Sequence, residues 1–170
     1  MTPQALVRLE KKLAEPASKW TKEDEPFVTR ITGGKTYTTE ERAVIEAAAL
    51  VQSFQHRQDL LRDSLSVAQV AKVLGVSRQT PHDRAAAGTL LAVLDKGSWK
   101  FPSWQFDADG PNAIVVGLPE VLRALDASPL AKVGWLSRPN RTWDGKTPLQ
   151  ALKEGKLEGV INEARTVGVS

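Results

Sequence analysis

LSVAQVAKVLGVSRQTPHDRAAAGTLLAVLDKGSWKFPSWQFD, residues Leu65 to Asp107, decides the fold. Ser66 stands where it can cap a helix whose apolar face is Val67, Val70, Ala71 and Leu74. Gly75 supplies the left-handed residue that ends it. Val76 then turns toward the core as Ser77 begins a second helix, and the small Ala68 and Ala71 allow the two helices to cross closely. The second helix runs to about Ala87 and stops at Gly88. Beyond it, Leu90–Leu94 and Ser98–Phe101 read as two strands around Asp95-Lys96-Gly97, a tight-turn sequence. Period-two alternation puts Trp99 and Phe101 on one face, expected against the helices, and leaves Lys100 pointing outward toward phosphate or a minor groove. Pro102 closes the second strand.

Two short helices, a Gly turn and a Gly-tipped hairpin in this order are what a DNA-reading winged helix-turn-helix needs. The stretch from Leu65 to Phe106 also resembles the winged helix-turn-helix of excisionase and MerR-like proteins. Val70, Ala71, Leu74, Gly75, Val76, Ser77, Arg78, Thr80, Gly88, Leu90, Ala92, Trp99, Phe101 and Pro102 carry the resemblance. Double-stranded DNA is the partner it implies, met by Ser77 to Arg84 and the wing. Arg78, Gln79 and Thr80 are the expected base or phosphate contacts, with Ser77 and His82 beside them. Arg84 and Lys72 are expected to position the backbone, and Lys96 and Lys100 to hold the wing. Pro81 departs from the pattern, because proline lacks the amide a helical residue donates. Either the helix bends in its first turn, or it starts later, with Thr80 as cap, Pro81 at the first position and Asp83 completing a capping box.

Composition fits a small binding protein. At 170 residues and 41% hydrophobic content the chain can bury a real core. It has no Cys, so neither disulfides nor thiolate metal sites hold it together. No apolar run approaches the roughly 18 residues that span a bilayer, and the N-terminus lacks the apolar stretch of a signal peptide, so the expected address is the cytoplasm, at the nucleoid. Two His and no metal-ligand spacing such as His-Glu-x-x-His argue against an enzyme. Ser66, Ser77 and Ser103 occupy capping or turn positions, where a hydroxyl without a nearby base is no nucleophile. No metal or cofactor is expected.

Net charge is +3, with five Lys or Arg against three Asp over residues 66–107 and seven cations against four anions over 130–170. Phosphate neutralisation dominates nonspecific affinity, so a monomer with so few cations binds weakly and a homodimer is expected.

The N-terminal extension, 1–62, bears on that dimer. Pro3 to Ala14 can form a short amphipathic helix with Leu6, Leu9 and Leu13 on one side. A loop from Glu15 to Tyr37 follows, and its Gly33-Gly34-Lys35 lacks the spacing of a phosphate-binding loop. Thr39 then caps a long helix to about Leu61, along which Val44, Ala47, Val51, Phe54 and Leu61 recur at alternating spacings of three and four, with Gln58 interrupting one layer. This stripe can pair with a second chain or pack onto the winged module, and dimerisation is the favoured reading. His56 is read as a surface residue.

Four helices are expected after the wing: Gly117–Leu125, Ser128–Leu136, Thr147–Gly155 with Thr147 as cap and Pro148 first, and Leu157–Ala164 with Val160 and Ile161 inward. Between them Pro139 and Asn140 break the chain and Asp144-Gly145 makes a tight turn. The segment WLSRPNRTWDGKTPLQALKEG, Trp135 to Gly155, resembles the toxin-binding domain of Xre/MbcA/ParS-type antitoxins, with Trp143 where Leu is usual and Val160 and Ala164 in the closing helix. The likeness covers about 115–168. It implies silencing of a RES-type toxin, an NAD-using enzyme, by the C-terminal end. Arg165 to Ser170 would be the inserting part, with Arg138 and Arg141 as further contacts.

The expected architecture is therefore mainly α: a helical extension over 1–62, a winged helix-turn-helix with a small β-hairpin wing over 63–108, and a small helical domain over 115–170. The expected function is a DNA-binding, antitoxin-like repressor. Its rival is a stand-alone transcriptional regulator or nucleoid-associated protein that uses the C-terminal part to oligomerise.

Overall fold

Residues 38–167 are described in a computed structural model of the chain. The expected helix over Pro3–Ala14, the Gly33-Gly34-Lys35 loop and Ser170 lie outside them.

Helix α1 runs Thr39–Leu61. Its cap is Thr38, one residue earlier than expected, because Glu41 lies three residues on and closes a capping box. The Glu41 amide donates to Thr38 Oγ1 at 3.2 Å, and the Thr38 amide donates to Glu41 Oε2 at 2.8 Å. Along the apolar stripe Val44, Val51 and Phe54 are exposed, and Leu61 is buried. From Phe54 onward the chain forms one compact unit.

Strand β1, Ser64–Leu65, leads into α2, Val67–Leu74. Ser66 caps α2 in a capping box with Gln69, and Gly75 ends it at φ 65°. Val70 and Ala71 are buried from its inner face. Helix α3, Gln79–Ala86, follows within four residues, and left-handed Gly88 stops the chain from continuing it. The wing is β2, Val93–Asp95, paired antiparallel with β3, Ser98–Pro102. The expected hairpin is in fact a three-stranded sheet of order β1-β3-β2, since Ser64 and Leu65 pair with Pro102 and Phe101. Two residues are too few to show alternation, so β1 carries no signal in the sequence.

The first wing strand is also shorter than expected. Leu90, Leu91 and Ala92 are buried but lie outside β2. Gln105, fully buried in the short 3-10 turn Ser103–Gln105, takes the place of a strand partner. Its Oε1 accepts from the Leu91 amide at 2.8 Å, and its Nε2 donates to the Leu91 and Pro102 carbonyls at 2.9 and 3.0 Å. One side-chain amide thus satisfies both backbone groups of Leu91, which burial would otherwise leave costly.

Four helices complete the unit: α4 Leu118–Ala124, α5 Pro129–Ser137, α6 Pro148–Lys153 and α7 Leu157–Thr166. Ser128 caps α5, and Thr147 with Gln150 forms the capping box of α6, with Pro148 at its first position. The molecule is mainly helical with a small antiparallel sheet, a winged helix followed by helices. Val70 and Phe101 of the winged part share one core with Leu118, Leu125, Leu136 and Val160 of the helices that follow. Among the described residues no helix is long and apolar enough to cross a membrane.

Candidate nucleic-acid interface

Pro81 is the third residue of α3, and its ring is buried. First-turn amides have no acceptor within their own helix, so proline there forfeits no bond. The alternative start at Thr80 does not occur. Thr80 lies inside the helix with its hydroxyl 3.2 Å from that of Ser77, and Asp83 accepts from Gln79 Nε2 at 2.9 Å rather than closing a box. The helix runs unbroken to Ala86.

At 100° per residue, Gln79, Asp83, Ala86 and Ala87 share one face of α3, and all four are exposed. Arg78, just before the first turn, is exposed as well, and so are Ser77 and Lys72. Thr80 is half-buried. His82 and Arg84 flank opposite edges of the outer face, both half-buried. On the His82 edge stands the wing, where the His82 and Trp99 rings meet edge to face, 5.9 Å between centroids. Arg84 sits on the other edge against the 111–120 segment, with Nη1 enclosed. It does not stand with Arg78 and Gln79 on the outer face.

Trp99 departs from expectation too. Phe101 is fully buried, but Trp99 is 39% exposed, although the two share a strand face. Lys96, Gly97 and Ser98 at the hairpin's turn are exposed, so burial reaches residue 101, and it is the His82 ring that meets residue 99. Leu94, opposite Trp99, is likewise exposed, which leaves an apolar pair on that side of the wing.

Lys100 lies on the other side, half-buried and paired with Val93. That side is strapped to the end of α1. Arg57 Nε donates to Asp95 Oδ1 at 2.7 Å, and its Nη2 donates to the Leu94 carbonyl at 2.8 Å. Lys96, expected to grip DNA, holds its ammonium 4.7 Å from the centre of the Phe54 ring. Nothing in the sequence marked Arg57 or Gln105, because their partners lie 37–38 and 14 residues away.

Of the expected partner contacts, Arg138, Arg141 and Arg165 are exposed. Arg138 and Arg141 line a groove of about 700 Å³ together with His56, Leu60, Leu130 and Trp135. The turn bearing Arg141 is pinned to α7: both Asn140 Nδ2 and Trp143 Nε1 donate to the Glu163 carboxylate. Gly159 makes room for the ring, since a Cβ there would come within 2.8 Å of Trp143 Cη2. Trp143 is therefore a packing residue, and Glu163 is the partner that sequence reading missed. Among the described residues no cluster of His, Asp or Glu could hold a metal ion.

No protein-family model and no curated protein matches the chain. Among solved structures, the NMR structure of Rv2175c is similar over 61% of this chain and 79% of its own, at 23% identity and a TM-score of 0.47.

Proposed function

We propose that this protein binds double-stranded DNA sequence-specifically through α3 and its wing, as a homodimer, and represses transcription without catalysing a reaction. The observation that carries the reading is the junction of recognition helix and wing. Arg78 and Gln79 stand exposed at the start of α3, and His82 meets Trp99 of the hairpin beside them. A helix that enters a major groove next to a wing that follows the backbone is how such modules read DNA. Arg78 and Gln79 are of the types that pair with guanine and adenine edges, and Asp83 can accept from cytosine N4. Exposed Val44, Val51 and Phe54 on α1 support pairing with a second copy. Resemblance to the antitoxin domain, with exposed Arg138, Arg141 and Arg165, supports a RES-type toxin as the second partner.

One observation favours the rival reading of a stand-alone regulator or nucleoid-associated protein. The C-terminal helices share their core with the wing module, so they also serve as its support.

Mapping of DNA sites in the native host, with Arg78→Ala as control, tests the first reading. A few sharp sites lost in the variant, one at the protein's own promoter, are expected; broad occupancy favours the nucleoid reading, and no enrichment overturns DNA binding. Rescue of cells from a co-expressed RES-type enzyme separates the antitoxin from the stand-alone regulator.

A further inference from the structure

A second concavity lies on the far edge of α3 from the wing, between the start of α4 and the residues around Arg84. It encloses about 540 Å³, within the range that holds small organic ligands. Arg84 supplies its charge. Among the described residues its guanidinium forms no ion pair, and Nη1 is buried with no hydrogen-bond partner. A guanidinium partly stripped of water and lacking a counter-charge is costly to keep, and a carboxylate that pairs with it in two parallel bonds relieves that cost. Ile114, Val116 and Leu157 are the large apolar residues of its lining, and Asn112 lines it as well.

The 110–115 segment that contributes to the lining is built rather than loose. Asn112 and Ala113 both hold φ at 57°, in the left-handed region that alanine avoids. Gly110 makes this possible, because a Cβ there would lie 2.0 Å from the Ile114 carbonyl oxygen. The Asp107 amide donates to the Ala113 carbonyl at 3.1 Å, and the Val115 amide donates to the Gln105 carbonyl at 3.0 Å. Strained backbone held by its surroundings is a mark of ligand-gripping segments. Glu120 also lines the cavity and faces Arg123 at 3.7 Å, so the lining carries one cation and one anion and disfavours a dianion.

We propose that this cavity is a binding site for a small monocarboxylate with an apolar body, its carboxylate on Arg84 and its hydrocarbon against Ile114, Val116 and Leu157. The site stands whether or not the protein binds DNA.

The test is titration of the ¹⁵N-labelled full chain with hexanoate, isovalerate and benzoate, each against its neutral amide, followed by two-dimensional NMR. Saturable shifts at Arg84 Nε–H, Asn112 and Val116 with at least one acid, and at least tenfold weaker response to its amide, are expected. Arg84→Gln abolishes them. Val116→Asp, at a position 60% exposed and thus safe for folding, weakens them at least tenfold. Absence of shifts with all three acids at 10 mM overturns the proposal, as does equal binding of acid and amide, or binding unchanged in folded Val116→Asp.

Discussion

Arg57 and Asp95 stand 38 residues apart in the chain and 2.7 Å apart in space. With its second bond to the Leu94 carbonyl, Arg57 fastens the wing to the end of α1, where Phe54 also receives the Lys96 ammonium. The wing's attitude is thus set by a helix that precedes the winged module.

Removing that strap should loosen the wing more than it destabilises the whole. Arg57 is about a third exposed, so Arg57→Met is expected to cost only about 0.5–1.5 kcal/mol. Amide exchange at Val93 and Lys100, the hydrogen-bonded pair next along the ladder from the turn, should accelerate while that of Val133 and Val160 stays slow. Equal acceleration throughout would show that Arg57 acts on global stability alone.

Contact between His82 and Trp99 couples α3 to the hairpin. An edge-to-face pair contributes about 0.5–1.5 kcal/mol beyond area burial. A double-mutant cycle of His82→Ala and Trp99→Ala in urea should return a coupling in that range. Additive effects would mean that the rings touch without holding each other.

Gln105 carries the two backbone groups of Leu91. Gln105→Leu retains volume but leaves a buried donor and acceptor unpaired, an expected loss of about 2–4 kcal/mol by chemical denaturation. A loss under about 1 kcal/mol would show that the Leu90–Ala92 segment finds other partners.

Trp143 is held between Glu163 and Gly159. Glu163→Ala is expected to cost about 1–3 kcal/mol and to shift the Trp143 indole N–H resonance, and Gly159→Ala to move the same resonance by pressing a Cβ on the ring. Both should leave the Trp99 indole resonance in place. A moving Trp99 signal would reveal coupling between the C-terminal turn and the wing.

Burial pushes the Lys132 ammonium below its ordinary value of 10.5, with Asp126 partly opposing, while its Nζ donates to the Leu122 carbonyl at 2.7 Å. The unfolded chain then binds more protons in the window between the lowered folded value and 10.5, so stability should rise with pH across it. Lys132→Met should remove that increment. Stability curves of the two proteins that run parallel up to pH 10.5 would show that Lys132 titrates alike folded and unfolded.

Much of this fold is written in short-range chemistry. Ser66 with Gln69, Gly75, Ser128, and Thr147 with Pro148 and Gln150 delimit their helices through bonds that span at most four residues, so the sequence alone reveals them. Pro81 could be read as trouble only because its position in the turn was unknown; once α3 begins at Gln79, the missing amide is one that no helix would have used.

Tertiary structure decided what surrounds those elements. Whether Trp99 is covered depends on how far along β3 the neighbouring elements reach, and alternation within β3 cannot report that. Arg84 and Arg78 are alike in sequence, yet one is turned to a cavity and the other to solvent by the rotation of α3 against its neighbours. Gln105, Arg57 and Glu163 act on partners 14–38 residues distant. Local sequence determined where helices and turns begin and end, because caps and turn residues act on their own backbone. The assignment of those polar and charged side chains to strap, clamp or cavity came only from packing, because it depends on which distant groups burial brings beside them.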